Sequence, residues 1–293
     1  MLDKARGASS NAALQQAKRL YQAAKAGHAG TLDPLATGLL PVLFGEATKF
    51  SSDLLDADKT YVAELRLGIS TATADAEGEV IATRAVNVNA QQLAAALENF
   101  RGDILQTPPL YSALKHAGKP MYAYARAGIN IEQAPRPVRI HALELQWFEG
   151  ERLALSVRCS KGTYIRSIAH DLGELLGCGA HLAALRRTAV GRFGLDCAHT
   201  LKQLEVLPES ARDALLLPLD ALLQNLPEVR LEAVQEARFL QGQAVAWNGP
   251  PEPRVRVCAA GGGLLGVGEV DSAGLIRPRR VIASQRYPAA GKK

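Results

Sequence analysis

The twelve residues GHAGTLDPLATG, Gly27 to Gly38, hold three glycines, one histidine and one carboxylate, Asp33, which is followed by Pro34. A carboxylate can attack an electrophilic carbon or hold positive charge beside one. Glycine has no Cβ, so the backbone around Asp33 can approach a bulky ligand closely. An aspartate before a proline is also a good helix start, as N-cap and N1. The loop alone therefore leaves a structural reading of Asp33 beside the catalytic one. No GxxxxGK[ST] phosphate loop and no GxSxG nucleophile turn occurs in the chain. Cys159, Cys178, Cys197 and Cys258 form no CxxC pair, and the histidines form no HxxxH pair, so no metal site and no disulfide framework is expected.

The elements around this loop must hold it in place. A helix is expected from Ser10 or Asn11 as cap to about Ala26, with Leu14, Ala17, Leu20, Tyr21 and Ala24 on one face and Gly27 as its stop. TYVAELRLG alternates as a strand with Tyr61, Ala63, Leu65 and Leu67 on one side. NAQQLAAALENF reads as a short helix, and RPVRIHALELQWF and RLALSVRCS read as strands. TYIRSIAHDLGELLG carries Ile165, Ile168, Leu172, Leu175 and Leu176 at helical spacing. Strands adjacent in sequence favour a mixed, largely antiparallel central sheet with flanking helices, an α+β fold, over a doubly wound one. After about Leu201 the chain turns acidic and proline-punctuated, as a helical connector would. Beyond it lie one helix, LEAVQEARFLQG, and the strand-like runs AVAW, RVRVCAA, LLGVGEV and LIRPRRVI, a small β-rich domain.

The chain has 293 residues and a net charge of +5, distributed unevenly. Arg136–Phe193 has nine Lys/Arg against five Asp/Glu, Arg254–Lys293 eight against two, and Thr200–Pro253 four against eight. Clustered positive charge suits a polyanion, because neutralised phosphates release counterions; an unevenly charged solvated surface is the alternative. No apolar run reaches the roughly 20 residues of a membrane span, and MLDKARGASS lacks the apolar core of a secretory signal. A cytoplasmic protein is expected.

Five blocks carry a resemblance in a fixed order: GHAGTLDPLATGLLPVLFGEATK, KTYVAELRLG, TPPLYSALKHAGKPMYAYAR, RCSKGTYIRSIAHDLG and LRRTAVGRF. Together they resemble the TruB-type tRNA pseudouridine synthases across nearly the whole chain. The C-terminal region resembles the small PUA-like RNA-binding domain of the bacterial members. The resemblance implies the pseudouridine synthase fold over residues 1–223, with an RNA-gripping insertion at about 105–130, and the PUA-like domain over 224–293. It implies isomerisation of a uridine to pseudouridine at position 55, in the T-arm of tRNA. The C1′–N1 bond breaks, the uracil turns in place, and a C1′–C5 bond forms, with no redox step and no cofactor.

By the same resemblance Asp33 acts at the sugar, either on C1′ or on the C2′ proton. Arg166 pairs with it, and Tyr61 stacks on the base and can take part in proton transfer. An adjacent guanidinium lowers an aspartate pKa, so Arg166 is expected to keep Asp33 ionised. Leu185 lines the pocket. His28 and Gly30 lie near the flipped-out nucleotide, and Lys4 stands in the chain's first loop, LDKA, where Ala5 takes the place of the family's proline. Tyr111, Lys115, Lys119 and Arg126 grip the RNA, and Arg277, Arg279 and Arg280 extend the footprint toward the acceptor side. Most of the family's apolar strand before Leu2 has no counterpart here, so an altered sheet edge is expected. The expected partner is tRNA, met by a monomer. The rival readings are a non-catalytic RNA-binding or RNA-folding protein, a guide-dependent relative acting on ribosomal RNA, and an aspartate-nucleophile hydrolase, which would need a second acid or a metal.

Overall fold

The computed structural model describes residues 1–112, 114–129 and 131–282, apart from the side chain of Arg126. Its centre is an eight-stranded sheet. The strands are β1 (Leu2–Lys4), β2 (Thr37–Leu40), β3 (Lys59–Leu67), β4 (Gly102–Gln106), β5 (Arg136–Glu149), β6 (Arg152–Cys159), β7 (Ala180–Val190) and β8 (Phe193–Gly194). They run in the order β1-β2-β7-β3-β6-β5-β4, with β8 paired to the end of β7. Only the β2–β7 pairing is parallel; the others within this sheet are antiparallel. The sheet is mixed and largely antiparallel, as the sequence suggests.

The alternation in β3 does what a period of two requires. Lys59, Tyr61, Ala63, Leu65 and Leu67 are buried on one face, between β7 and β6. Helix α1 (Ser10–Leu20) buries Ala13, Leu14 and Ala17. Helix α2 (Ala90–Leu97) starts on a capping box in which Asn89 and Gln92 satisfy one another's backbone N–H groups. Helix α3 (Met121–Arg126) lies in the insertion, and helix α4 (Ile165–Leu175) packs on β7. Leu175, counted on the apolar face of α4, is exposed.

Two expectations about α1 are corrected. The cap is Ser9, whose hydroxyl accepts from the Ala12 N–H at 3.1 Å, and Ser10 is turned to another task described below. The helix stops at Leu20, not near Ala26. Tyr21 packs its ring on Phe44 at 5.1 Å and donates its hydroxyl to the Arg212 carbonyl, and Gln22 adopts a left-handed φ of 47°. These tertiary contacts outweigh the propensity of the QAAKA run to continue the helix. At the other edge, the short β1 pairs with β2 through Leu2, Asp3 and Lys4.

The chain divides into two compact units: Met1–Leu20, His28–Val42 and Leu54–Val206 form one, and Tyr21–Gly27, Leu43–Asp53 and Leu207–Lys293 the other. The second is built on a five-stranded sheet, with β9 (Glu228–Leu231), β10 (Val245–Ala246), β11 (Glu252–Ala259), β12 (Leu264–Val270) and β13 (Leu275–Val281) in the order β9-β11-β12-β13-β10. Helix α5 (Ala233–Leu240) places the fully buried Phe239 on a core of Val229, Leu231, Val255, Val257 and Ile276. This is the β-rich, PUA-like domain. Strand β9 is parallel to β11 and was not signalled by the sequence. The segment Leu43–Asp53, far away in sequence, contributes Phe50 to a cluster with Leu223 and Val267, and Asp53 to an ion pair with Arg254.

Candidate active site

No helix follows Asp33, so its reading as a helix cap falls. The residues around it are tied down from three sides. The Ser10 hydroxyl accepts from the Leu32 N–H at 2.8 Å and donates to the Leu32 carbonyl at 2.9 Å. The Ala36 N–H donates to the Asp33 carbonyl at 3.0 Å, closing a tight turn across Pro34. Lys4, only 1% exposed, donates its ammonium to the carbonyls of Ala8 and Ala5 and, at 3.5 Å, to that of Pro34. Lys4 thus supports the aspartate turn from below; it does not line the pocket. Burial lowers its pKa, with Asp33 acting in the opposite direction.

The opposite wall comes from the start of α4. Arg166 is 4% exposed, and its Nε lies 2.9 Å from Asp33 Oδ2. Its other nitrogens donate to the carbonyls of Thr73, at 3.2 Å, and Tyr111, at 2.9 Å. A second carboxylate, Asp75, stands 3.7 Å from Nε and is itself buried, held by the Thr73 hydroxyl and the Glu77 N–H. The helix start is fixed by Gln106, a buried amide at the end of β4. It accepts from the Tyr164 N–H at 2.7 Å and donates to the Tyr164 carbonyl at 3.0 Å, as a neighbouring strand would. Ser167 adds a bond to the Thr107 carbonyl. Arg166 is thus buried in the pair, while the Asp33 side chain keeps 38% of its surface exposed.

These elements enclose a pocket of about 320 Å³, within the range of small-ligand sites. Asp33, Tyr61, Arg166, Leu185 and Gly30 all line it, together with Lys59, Ser112, Tyr164 and Arg187. Asp33 is the one carboxylate among its described lining residues. Gly30 has a φ of +82°, and a Cβ there would meet the Arg187 guanidinium at 3.3 Å. Lys59 places its ammonium on the carbonyls of Leu54, Leu55 and Ala57, and burial pulls its pKa down to about 8.

The electrostatics correct one expectation. Arg166 does pull the Asp33 pKa down, but burial pushes it up more strongly and Asp75 adds to the rise, so the Asp33 carboxyl lies above its ordinary value. Burial likewise raises the Tyr61 and Tyr164 phenols. His28 is half-buried outside the pocket lining, and its buried Nδ1 has no hydrogen-bond partner among the described residues. Burial, and then the Arg187 charge, lower its pKa.

The remaining candidates spread outward. Tyr111 enters the site through its backbone carbonyl on Arg166. Lys115 and Lys119 are exposed on a two-stranded hairpin, Lys115–His116 with Lys119–Pro120. Arg126 ends α3, and its side chain lies outside the described residues. Arg277 and Arg279 are paired with Asp271 and Glu269, which neutralises much of their charge. Arg280 is exposed and, among the described residues, carries no ion pair. Sequence reasoning missed Asp75, Gln106 and Arg187. Asp75 sits in a polar TATADAEGE run with nothing to mark it, and Gln106 looks like any strand-end amide. Arg187 is the second of two arginines in a strand, so alternation alone sends it to the face opposite Arg186.

Three family models match consecutive stretches of the chain: the TruB family pseudouridylate synthase N-terminal domain at residues 18–165, the tRNA pseudouridylate synthase B C-terminal domain at 166–224, and the pseudouridine synthase II TruB C-terminal model at 227–282. The tRNA pseudouridine synthase B of Aromatoleum aromaticum is 55% identical over 284 residues, 97% of this chain and 92% of that one. The same-named protein of Ralstonia nicotianae is 56% identical over 292 residues, 96% of this chain and 93% of that one. Among solved structures, the crystal structure of a Cbf5-Nop10-Gar1 complex matches with a TM-score of 0.70 at 28% identity, over 92% of this chain and 77% of that one. The match to an H/ACA RNP bound to a substrate RNA containing 2′-deoxyuridine, with a TM-score of 0.72 at 24% identity, is one of fold. Near-full coverage at this identity, with an aspartate–arginine pair set in a pocket beside a tyrosine and a leucine, places the chain in the TruB family of pseudouridine synthases.

Proposed function

We propose that this chain isomerises uridine to pseudouridine at position 55, in the T-arm of tRNA. The observation that supports this best is the pocket with one carboxylate. A glycoside hydrolase generally needs two, one for the leaving group and one for attack or for water. An isomerase that keeps the base in place needs only the group that handles the sugar. Asp33 meets C1′ or takes the C2′ proton, Arg166 aims it, Tyr61 stacks on the uracil, and Leu185 packs beside them. The target base must leave its stack to enter, at a cost of a few kcal/mol that stacking on Tyr61 offsets by about 1–3 kcal/mol. His28, Lys115, Lys119 and Arg126 contact the RNA around the flipped nucleotide. Residues 224–293 act as an RNA-binding domain that takes no part in the chemistry. The enzyme works as a cytoplasmic monomer; no described helix is long and apolar enough to cross a membrane.

The test is the fate of radiolabelled uridine in an unmodified tRNA transcript, mapped to its position. Conversion at position 55 is expected. Conversion at another position, or only in ribosomal RNA supplied with a guide, would overturn the assignment.

A further inference from the structure

Arg187 lies in β7, two residues beyond Leu185, and is among the largest fully buried side chains, 1% exposed. Its Nε donates to the Leu39 carbonyl at 2.7 Å and its Nη2 to the Gly30 carbonyl at 2.8 Å, and its charge acts on the Tyr61 phenol. It also lines the pocket. Gly30 leaves room for it: a Cβ there would meet the guanidinium at 3.3 Å. Arg166 faces two carboxylates, whereas Arg187, among the described residues, has none as an ion-pair partner. Burying a guanidinium against neutral oxygens alone is costly. The uncompensated charge is felt around it: it pushes the pKa values of His28, Lys4 and Lys59 down, and it opposes the rise of Tyr61. The pocket thus carries at Arg187 a positive charge that, among the described residues, no carboxylate pairs with.

Resting on the function above, we propose that Arg187 supplies the positive charge that stabilises the detached uracil. When the C1′–N1 bond breaks, its electron pair stays with the base, spread over N1 and the carbonyl oxygens. The sugar's deficit falls to the Asp33 side, by attack on C1′ or by loss of the C2′ proton. After the base turns, the pair delocalised onto C5 forms the C5–C1′ bond. C5 then loses its proton and N1 gains one, so the product has the composition of the reactant. The anion exists only between the two bonds, so a fixed cation there lowers the barrier without tightening ground-state binding. The hydrogen bonds to Leu39 and Gly30 hold the guanidinium in place before the reaction, and its charge acts on the phenol of Tyr61, whose ring stacks on the base.

The experiment compares single-turnover glycosidic cleavage on two tRNA transcripts, one with uridine and one with 5-fluorouridine at the target. Fluorine withdraws electrons and makes the base a better leaving group, so outside stabilisation matters less. Arg187→Met is expected to slow cleavage of uridine by about 10²–10³-fold, the range for losing one preorganised donor, with a clearly smaller loss on 5-fluorouridine. Arg187→Lys keeps the charge and should recover part of the rate, and tRNA affinity should be unchanged. Equal fold losses on the two bases would overturn the proposal, because a merely structural arginine does not sense the leaving group. If Arg187→Met does not fold, Arg187→Lys carries the same comparison. A wild-type enzyme that leaves uridine unconverted would instead defeat the function itself.

Discussion

Arg166 Nε stands 2.9 Å from Asp33 Oδ2, yet burial holds the Asp33 pKa above its ordinary value. The pair is therefore aimed more than it is stabilised. Burial of the carboxylate, with Asp75 nearby, outweighs the attraction of the guanidinium. A carboxylate held ionised against that tendency is more reactive than one relaxed in a strong ion pair.

This sets the sign of the pH dependence. The ionised form acts at the sugar, so the single-turnover rate should fall as pH drops through the raised Asp33 value, which lies above the usual aspartate value of about 3.9. A rate that stays flat down to that value would contradict it. For stability the sign is opposite. A raised carboxyl favours the fold while protonated, and that contribution is lost as pH rises through the folded value. At neutral pH ionised Asp33 therefore costs stability.

Asp75 supplies a second handle on the same titration. Its charge raises the Asp33 pKa, so Asp75→Asn should move the acid limb of the rate profile to lower pH. The amide can still accept from the Glu77 N–H, so the loop keeps its shape. A profile measured in parallel for both proteins decides this; an unmoved limb means that Asp75 only fills space.

Tyr61 has two separable parts. Tyr61→Phe keeps the stacking ring and loses the phenol hydroxyl, whereas Tyr61→Leu loses both. Activity should fall in the order wild type, Phe, Leu, with the Leu variant losing about 1–3 kcal/mol of base stacking. Wild-type activity in Tyr61→Leu would dispose of the stacking role.

The C-terminal basic surface is best probed one residue at a time. Deleting 224–293 would strip Val267 and Arg254 from Phe50 and Asp53, so a truncated chain should melt lower for reasons unrelated to RNA. Arg280→Ala avoids this. With full-length tRNA it should reduce the slope of log affinity against log salt by about one phosphate contact. With a minimal T-arm hairpin it should change little. Equal effects on the two RNAs would remove the extended footprint.

Much of this was legible in the sequence, for physical reasons. Strand alternation placed Tyr61 inward, and the helical spacing of Ile165, Ile168 and Leu172 set the face of α4. The ordered motifs named Asp33, Arg166 and Leu185, which now line one pocket. What sequence could not show depends on third partners. Helix α1 ends early because Tyr21 finds Phe44. The Asp33 pKa is raised because the fold buries the carboxyl, and Asp75, from a loop 42 residues away in sequence, adds to the rise. Lys4 turns out to support a turn instead of touching substrate, since its acceptors are three backbone oxygens brought together only by the fold.

The most direct measurement is single-turnover pseudouridine formation by Asp33→Asn on unmodified tRNA, with binding and melting followed on the same preparation. The expected result is loss of isomerisation, unchanged tRNA affinity, and a melting temperature at neutral pH no lower than that of the wild type. A folded Asp33→Asn enzyme turning over at a near-normal rate would contradict the assignment of Asp33 to the reaction.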